Sequence, residues 1–227
     1  TFRWHGPEEA HREDEQENVL TMKKVELQEL IQDFLTGGDA PSDIKGRYHD
    51  ELVQNHMETA FNAIVFQTWR EAKSYSDYSV LDAWARNYDV SITSSVAILP
   101  FPPTQLPDNR GILQVTPDDD LTNPFIYLET NAQGVYAALE VSTVLLKPSF
   151  YLEQNPTSVD NIDTHQLVLA NVPDGVTVLK VKMIVPLSRI DLFDDVVIPS
   201  GKEMLIVQAV VGLLQGKPLE DMKNDGL

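Results

Sequence analysis

Val176-Thr177-Val178-Leu179-Lys180-Val181-Lys182-Met183-Ile184-Val185 runs apolar with polar alternation and stops at Pro186, the pattern of a buried strand. An acidic crossing from Arg189 to Asp195 follows, and the chain turns apolar again at Val196-Val197-Ile198. In Pro199-Ser200-Gly201-Lys202-Glu203 a serine is followed three residues later by a glutamate, a capping box that predicts a helix start. Gly216 and Pro218 predict its stop. Inside it, Met204, Leu205, Ile206, Val207, Ala209, Val210, Val211, Leu213 and Leu214 leave only Gln208, Gly212 and Gln215 as a narrow polar or small stripe. A helix this apolar must be covered. Roughly 15 residues at 1.5 Å each reach about 22 Å, short of the ~30 Å of a bilayer core, so the cover is protein. It is either the rest of this chain or a neighbouring subunit.

Upstream of that stretch the texture is β. Ile112 to Val115, Phe125 to Glu129, Ser149 to Glu153 and Gln166 to Ala170 read as strands separated by Pro, Asn, Asp and Gly clusters. Val135 to Leu146 fits helix or strand equally. Before the strands comes a stiff loop, Leu99-Pro100-Phe101-Pro102-Pro103 through Leu106-Pro107-Asp108-Asn109-Arg110-Gly111, whose prolines enforce an extended course. Tyr75 to Tyr88 reads as a short helix passing into a strand.

Further back the period is helical. Leu27, Leu30, Ile31 and Phe34 share one face of a helix from Met22 to Leu35, which Gly37-Gly38 ends. A second helix runs from about Arg47 into the 70s with Val53, Met57, Phe61 and Ile64 on one side, and the intervening Gly and Pro loop predicts a helical hairpin. Glu8 to Glu17 is too acidic to order itself by burial; it reads as an arm whose tip residues Phe2 and Trp4 are suited to docking. The fold class is therefore α+β: an N-terminal helical hairpin, a strand-rich antiparallel middle and a C-terminal apolar helix. The expected division is an acidic N-terminal arm or extension over 1–21 and a single domain over 22–227. Within that domain, 22–75 is helical, 76–195 is β-rich, and 196–227 is a closing strand and helix.

The 227 residues carry 17 basic and 35 acidic side chains, a formal net charge of −18. Scattered Lys and Arg in such an excess of acid argue against a nucleic-acid grip, although a negative surface suits one past which nucleic acid must slide. Solubility is the simpler reading of the same charge. With no cysteine, disulfides and thiolate-tethered cofactors are excluded. No signal peptide or membrane anchor is legible, and Met22-Lys23-Lys24 resembles an ordinary start, which makes Thr1 to Thr21 an upstream extension or a processed segment.

Chemistry-bearing patterns are sparse. His49 and His56 lie two helical turns apart, about 10 Å, too far to share a metal without ligands from elsewhere. Asp118-Asp119-Asp120 and Asp160-Asn161-Ile162-Asp163 are rich in oxygen but lack the glycine and distal glutamate of a calcium loop, so turn-forming acids are the better reading; His165 is expected at the surface. There is no phosphate loop, dinucleotide fingerprint or nucleophile elbow. Trp4, Trp69 and Trp84 with the tyrosines suit either a sugar platform or a core. Nothing calls for an enzyme, a metal or a cofactor.

The Met22 start with its amphipathic helix, the Leu99 to Ile112 loop, and the ending Ile184-Val185-Pro186, Ile198-Pro199-Ser200-Gly201 and Glu203 with its apolar helix carry a resemblance over about Met22 to Leu214. Together they resemble the ring or adaptor virion structural proteins of the head-to-tail connector in crAss-like and related tailed phages. The resemblance implies a homo-oligomeric ring, commonly twelve-fold, stacked between the portal and neighbouring tail ring proteins. Its acidic channel would let DNA pass without specific binding, and the protein would reside in the virion after assembly in the host bacterial cytoplasm. The family layout does not account for Thr1 to Thr21. Phe2, Trp4, Phe101, Leu205 and Val211 are the residues expected at assembly interfaces. Two other readings compete. A carbohydrate- or protein-binding β module of a phage or bacterial surface assembly requires Trp or Tyr side chains along an open groove. A metal-dependent hydrolase requires Asp160, Asp163 and His165 to converge.

Overall fold

Leu179, Val181 and Met183 are fully buried while their neighbours Val178, Lys180 and Lys182 are half-exposed, so the alternating run forms a strand with one face in a core. A computed structural model describes residues 19–37, 48–129, 147–154 and 165–216. In chain order these form β1 (Val19–Lys23), α1 (Lys24–Thr36), α2 (Asp50–Tyr75), β2 (Arg86–Thr93), β3 (Val96–Ile98) and β4 (Ile112–Pro117). Then come β5 (Ile126–Tyr127), β6 (Ser149–Gln154), β7 (His165–Ala170), β8 (Val178–Met183), β9 (Asp195–Pro199) and α3 (Glu203–Leu214). Short 3-10 turns occupy Ser79–Trp84, Pro107–Asn109 and Leu187–Arg189. The mixed α/β composition with a strand-rich sheet is as expected.

Seven strands make one sheet in the order β4-β8-β2-β3-β7-β6-β5. All its neighbours are antiparallel except β5 and β6, which run parallel, a departure from the expected all-antiparallel middle. Strand β3, which lies within a stretch unassigned from sequence, bridges β2 and β7 through a turn in which Ser94 and Ser95 both adopt positive φ. The buried face of the sheet gathers Val90, Ala97, Leu99, Ile112, Val115, Phe125, Phe150, Leu167, Leu169, Leu179, Val181 and Met183.

A second core lies among the helices. Along α2, Val53, Met57, Ala60, Phe61, Val65, Thr68, Trp69 and Ala72 repeat at helical spacing and are buried. Leu27 and Ile31 of α1 and Ile206, Val207, Ala209 and Val210 of α3 complete this core, with Leu81 and Trp84 from the turn before β2. Each fully buried side chain of this kind contributes about 1.5–3 kcal/mol by leaving water. Ile190 packs against both cores. Helices α1 and α2 meet each other far less than either meets α3, which is the central contact of the helical part. The loop expected to fold α1 and α2 into a hairpin falls on 38–47, outside the described residues.

Three local expectations are corrected. Met22 is strand rather than the start of a helix: Val19 to Lys23 form β1 and pair with Pro199 to Asp195 of β9 in a separate two-stranded ribbon, and α1 begins at Lys24. Cross-strand pairing to a distant partner overrides a helical period that reads only near neighbours. The Ser200 to Glu203 capping box does not form: Gly201 takes φ +83, Lys202 is the N-cap, and no side chain caps α3. Phe34 is 51 % exposed, because the covered side of α1 is centred on Lys24, Gln28, Ile31 and Leu35 rather than on Leu27, Ile31 and Phe34.

Candidate functional site

The loop with the most prolines is fixed by backbone bonds to the end of β8. The N–H of Thr104 donates to Ile184 O at 2.8 Å, and the N–H of Ile184 donates to Gly111 O at 2.8 Å. Between these anchors the loop projects Asp108 and Asn109 in consecutive left-handed conformations, φ 59 and 51, a geometry that Asp and Asn tolerate better than other side chains. Arg110 then lies over the ring of Tyr78, 4.3 Å from its centre, and the Asn109 amide donates to the Tyr127 hydroxyl.

Those side chains border an open groove of about 890 Å³. One wall is Ile112, Leu113 and Gln114 of β4; the other is Tyr127 with Leu128 and Glu129 after it; Phe125 and Phe150 form the floor, and Tyr78, Ser79 and Asp82 stand at one end. The walls belong to β4 and β5, the two outer strands of the seven-stranded sheet. A backbone bond joins the two sides where the N–H of Phe125 donates to Val115 O at 2.7 Å. Asp82 is balanced by Lys182 at 3.0 Å, which leaves Asp108, Glu129 and Arg110 as the remaining charges along the groove.

Among the described residues no tryptophan lines it. Trp69 and Trp84 are buried in the helical core, the latter edge-on to Phe61 with ring centres 5.5 Å apart, so the sugar platform loses both. Tyr78 has one face under Arg110, and the Tyr127 hydroxyl is bonded to Asn109.

Large apolar side chains are also exposed at separate places on the molecule. Phe34 of α1, Leu52, Phe66 and Tyr75 of α2, Leu205 of α3 and Phe193 in the turn before β9 are among them, as are Val80, Ile98, Leu121 and Ile126 outside the helices. The turn carrying Phe193 is held firmly: the N–H groups of Lys24 and Val25, unpaired within α1, donate to Asp194 O and Leu192 O at 3.0 and 2.9 Å. The ammonium of Lys24 donates to Leu187 O at 2.8 Å and Ile190 O at 2.9 Å, and its burial lowers the pKa against the opposing charges of Glu58 and Asp191.

The residues expected at interfaces separate. Phe2 and Trp4 lie outside the described residues. Phe101 is half-buried against Tyr88, ring centres 5.8 Å apart, and Val211 is half-buried against the helical core. Leu205 is 41 % exposed. Sequence reading missed Phe66 and Phe193, and Phe193 had a usable signal: an aromatic between acids in a short crossing.

The oxygen-rich sequences offer no cation site in the described residues. Asp118 pairs with Lys180 at 3.0 Å. Asp120 accepts bonds from the backbone and hydroxyl of Thr122 and from the Asn123 amide, and these bonds lower its pKa. Asp160 and Asp163 fall outside the described residues, while His165 opens β7, partly covered. Among the described residues no group of three or more metal-ligating side chains converges, and no helix is long and apolar enough to cross a membrane. No known protein family, curated protein or solved structure matches the chain.

Proposed function

We propose that this chain is a structural virion protein that forms a homo-oligomeric ring in the portal-to-tail connector of a tailed phage. The observation that carries the reading is the set of large apolar side chains left in water on all three helices and on the pinned turn at Phe193. Exposed apolar side chains suit protein contacts, and head-to-tail contacts between unlike faces close into a ring when the rotation between copies permits. In this reading α1 and α2 act as a helical hairpin braced by the apolar α3, and subunits meet through that layer. The net charge of −18 gives the ring a surface that repels DNA in transit. Twelve copies, stacked against the portal and neighbouring tail rings, follow from the resemblance of the Leu99 to Ile112 loop and the closing helix.

Sedimentation across micromolar to millimolar concentrations, with electron microscopy of stained particles, tests it. Annular particles of a single stoichiometry are expected. A monomer at every concentration, alone and with the cognate portal protein, sinks the reading.

A second reading, a binding β module, draws support from the groove between β4 and β5. Its carbohydrate form is weakened by the engagement of Tyr78 and Tyr127 with Arg110 and Asn109. Its protein-binding form is not.

A further inference from the structure

Following strand directions through the sheet places β4 and β5 antiparallel to one another, one at each end of the order β4-β8-β2-β3-β7-β6-β5. The sheet has curled until its two margins face each other; the backbone bond from Phe125 to Val115 joins them at one end, and the Asn109 amide of the loop before β4 reaches the Tyr127 hydroxyl of β5. Beyond the backbone bond they enclose the groove. A sheet margin presents backbone donors and acceptors that want partners. On β5 the N–H groups of Ile126 and Leu128 donate to Pro148 O and Phe150 O, at 2.9 and 2.8 Å. Strand alternation therefore aims the intervening Tyr127 amide away from β6, toward β4.

We infer that the groove between β4 and β5 is a slot for one extended peptide strand from another protein, with apolar side chains on alternate positions and lysine or arginine at its ends. Each part of that description answers to a feature of the slot. Facing strand margins call for an extended backbone. The half-buried Leu113 and Tyr127 and the exposed Pro124 offer apolar contact to side chains from every second residue. The exposed carboxylates of Asp108 and Glu129 outnumber Arg110 at the rim, which favours cationic ends. The same rim disfavours the acidic stretch from Glu8 to Glu17 of a second copy. The slot does not depend on ring closure, so either assignment survives the failure of the other.

The test uses the full chain and a small panel of heptapeptides built as acetyl-Lys-Val-Thr-Val-Thr-Val-Lys-amide, with isoleucine and tyrosine versions at the apolar positions. Control peptides carry glutamate ends or proline at the central position. Fluorescence anisotropy reads affinity and amide shifts locate the contact. The lysine-ended strands are expected to bind at least tenfold more tightly than the glutamate-ended ones, to lose binding with the central proline, and to shift amides in 112–115 and 125–129. In the Asp108→Asn, Glu129→Gln double variant, preference for lysine ends is expected to fall severalfold. Failure of every lysine-ended peptide to bind, equal binding of the proline peptide, or shifts confined to other surfaces would overturn the assignment. So would the same amide shifts produced by raising protein concentration without peptide, since a second copy would then be the occupant.

Discussion

A Cβ placed on Gly111 would fall 2.0 Å from the carbonyl oxygen of Thr104. Neither segment has room to retreat, because Ile184 bonds to the backbone of both. Gly111→Ala is therefore expected to cost about 3 kcal/mol or more, or to prevent folding of the loop. Gly201 is the control: its φ is +83 but the space around a new Cβ is empty, so Gly201→Ala should cost about 1 kcal/mol. Urea unfolding of both variants checks the contrast.

Lys24 makes a second testable bond set. Its ammonium donates to Ile190 O and to Leu187 O, which also accepts the Ile190 N–H, so Lys24→Met should destabilise by about 1 kcal/mol, chiefly through the Ile190 carbonyl that loses its donor. Burial lowers the folded pKa below the ordinary 10.5. The unfolded chain then holds the proton more tightly, so this residue's contribution to stability rises as pH climbs from the folded pKa to 10.5 and is flat below that window. Denaturant titrations from pH 8 to 10.5 should show the gap between wild type and Lys24→Met widening with pH.

The helical face of α3 can be mapped by pairs. Ile206 is fully buried and Leu205 is not. Ile206→Ala should cost about 2–5 kcal/mol in the isolated protein, whereas Leu205→Ala should cost under about 1 kcal/mol. If Leu205 meets a neighbouring copy, its replacement by aspartate instead raises the concentration needed for assembly, read by sedimentation.

Phe66 and Phe193 make the corresponding claim for other parts of the surface. Phe193→Ser should leave the thermal midpoint within a few degrees of wild type while weakening any assembly by about tenfold or more, the behaviour of an exposed anchor residue, whereas Phe66→Ser should also cost stability because its ring stacks on Trp69, centres 5.5 Å apart. Phe61→Ala, which removes the ring lying edge-on to Trp84, should do the reverse and lower stability by about 3–5 kcal/mol.

Periodicity made the middle of each long element legible. The alternation from Val178 to Met183 gave a strand because one face is buried along its length, and Val53, Met57 and Phe61 gave a helix for the same reason. Position within the sheet was not legible, because nothing in β8 alone names β4 and β2 as its neighbours. Met22 was assigned to a helix because its pairing with Val196 spans most of the chain. Leu205 and Phe34 show the other limit. Their apolar character is plain in the sequence, but the face they occupy depends on how α1 and α3 lie in the helical layer. The groove was invisible for a related reason: its walls come from Ile112 to Gln114 and Tyr127 to Glu129, and only the curl of the whole sheet brings them opposite each other.

The ribbon that joins Val19 to Pro199 has a consequence for synthesis. While the ribosome is still translating, α1 and α2 have neither β9 nor α3 to cover them, so their apolar sides stay open until residues 195–214 have emerged. Maturation of the helical half is then governed by a late, long-range closure, a slow class of folding step. A nascent chain cut short before residue 195 would expose the surfaces that the folded protein conceals.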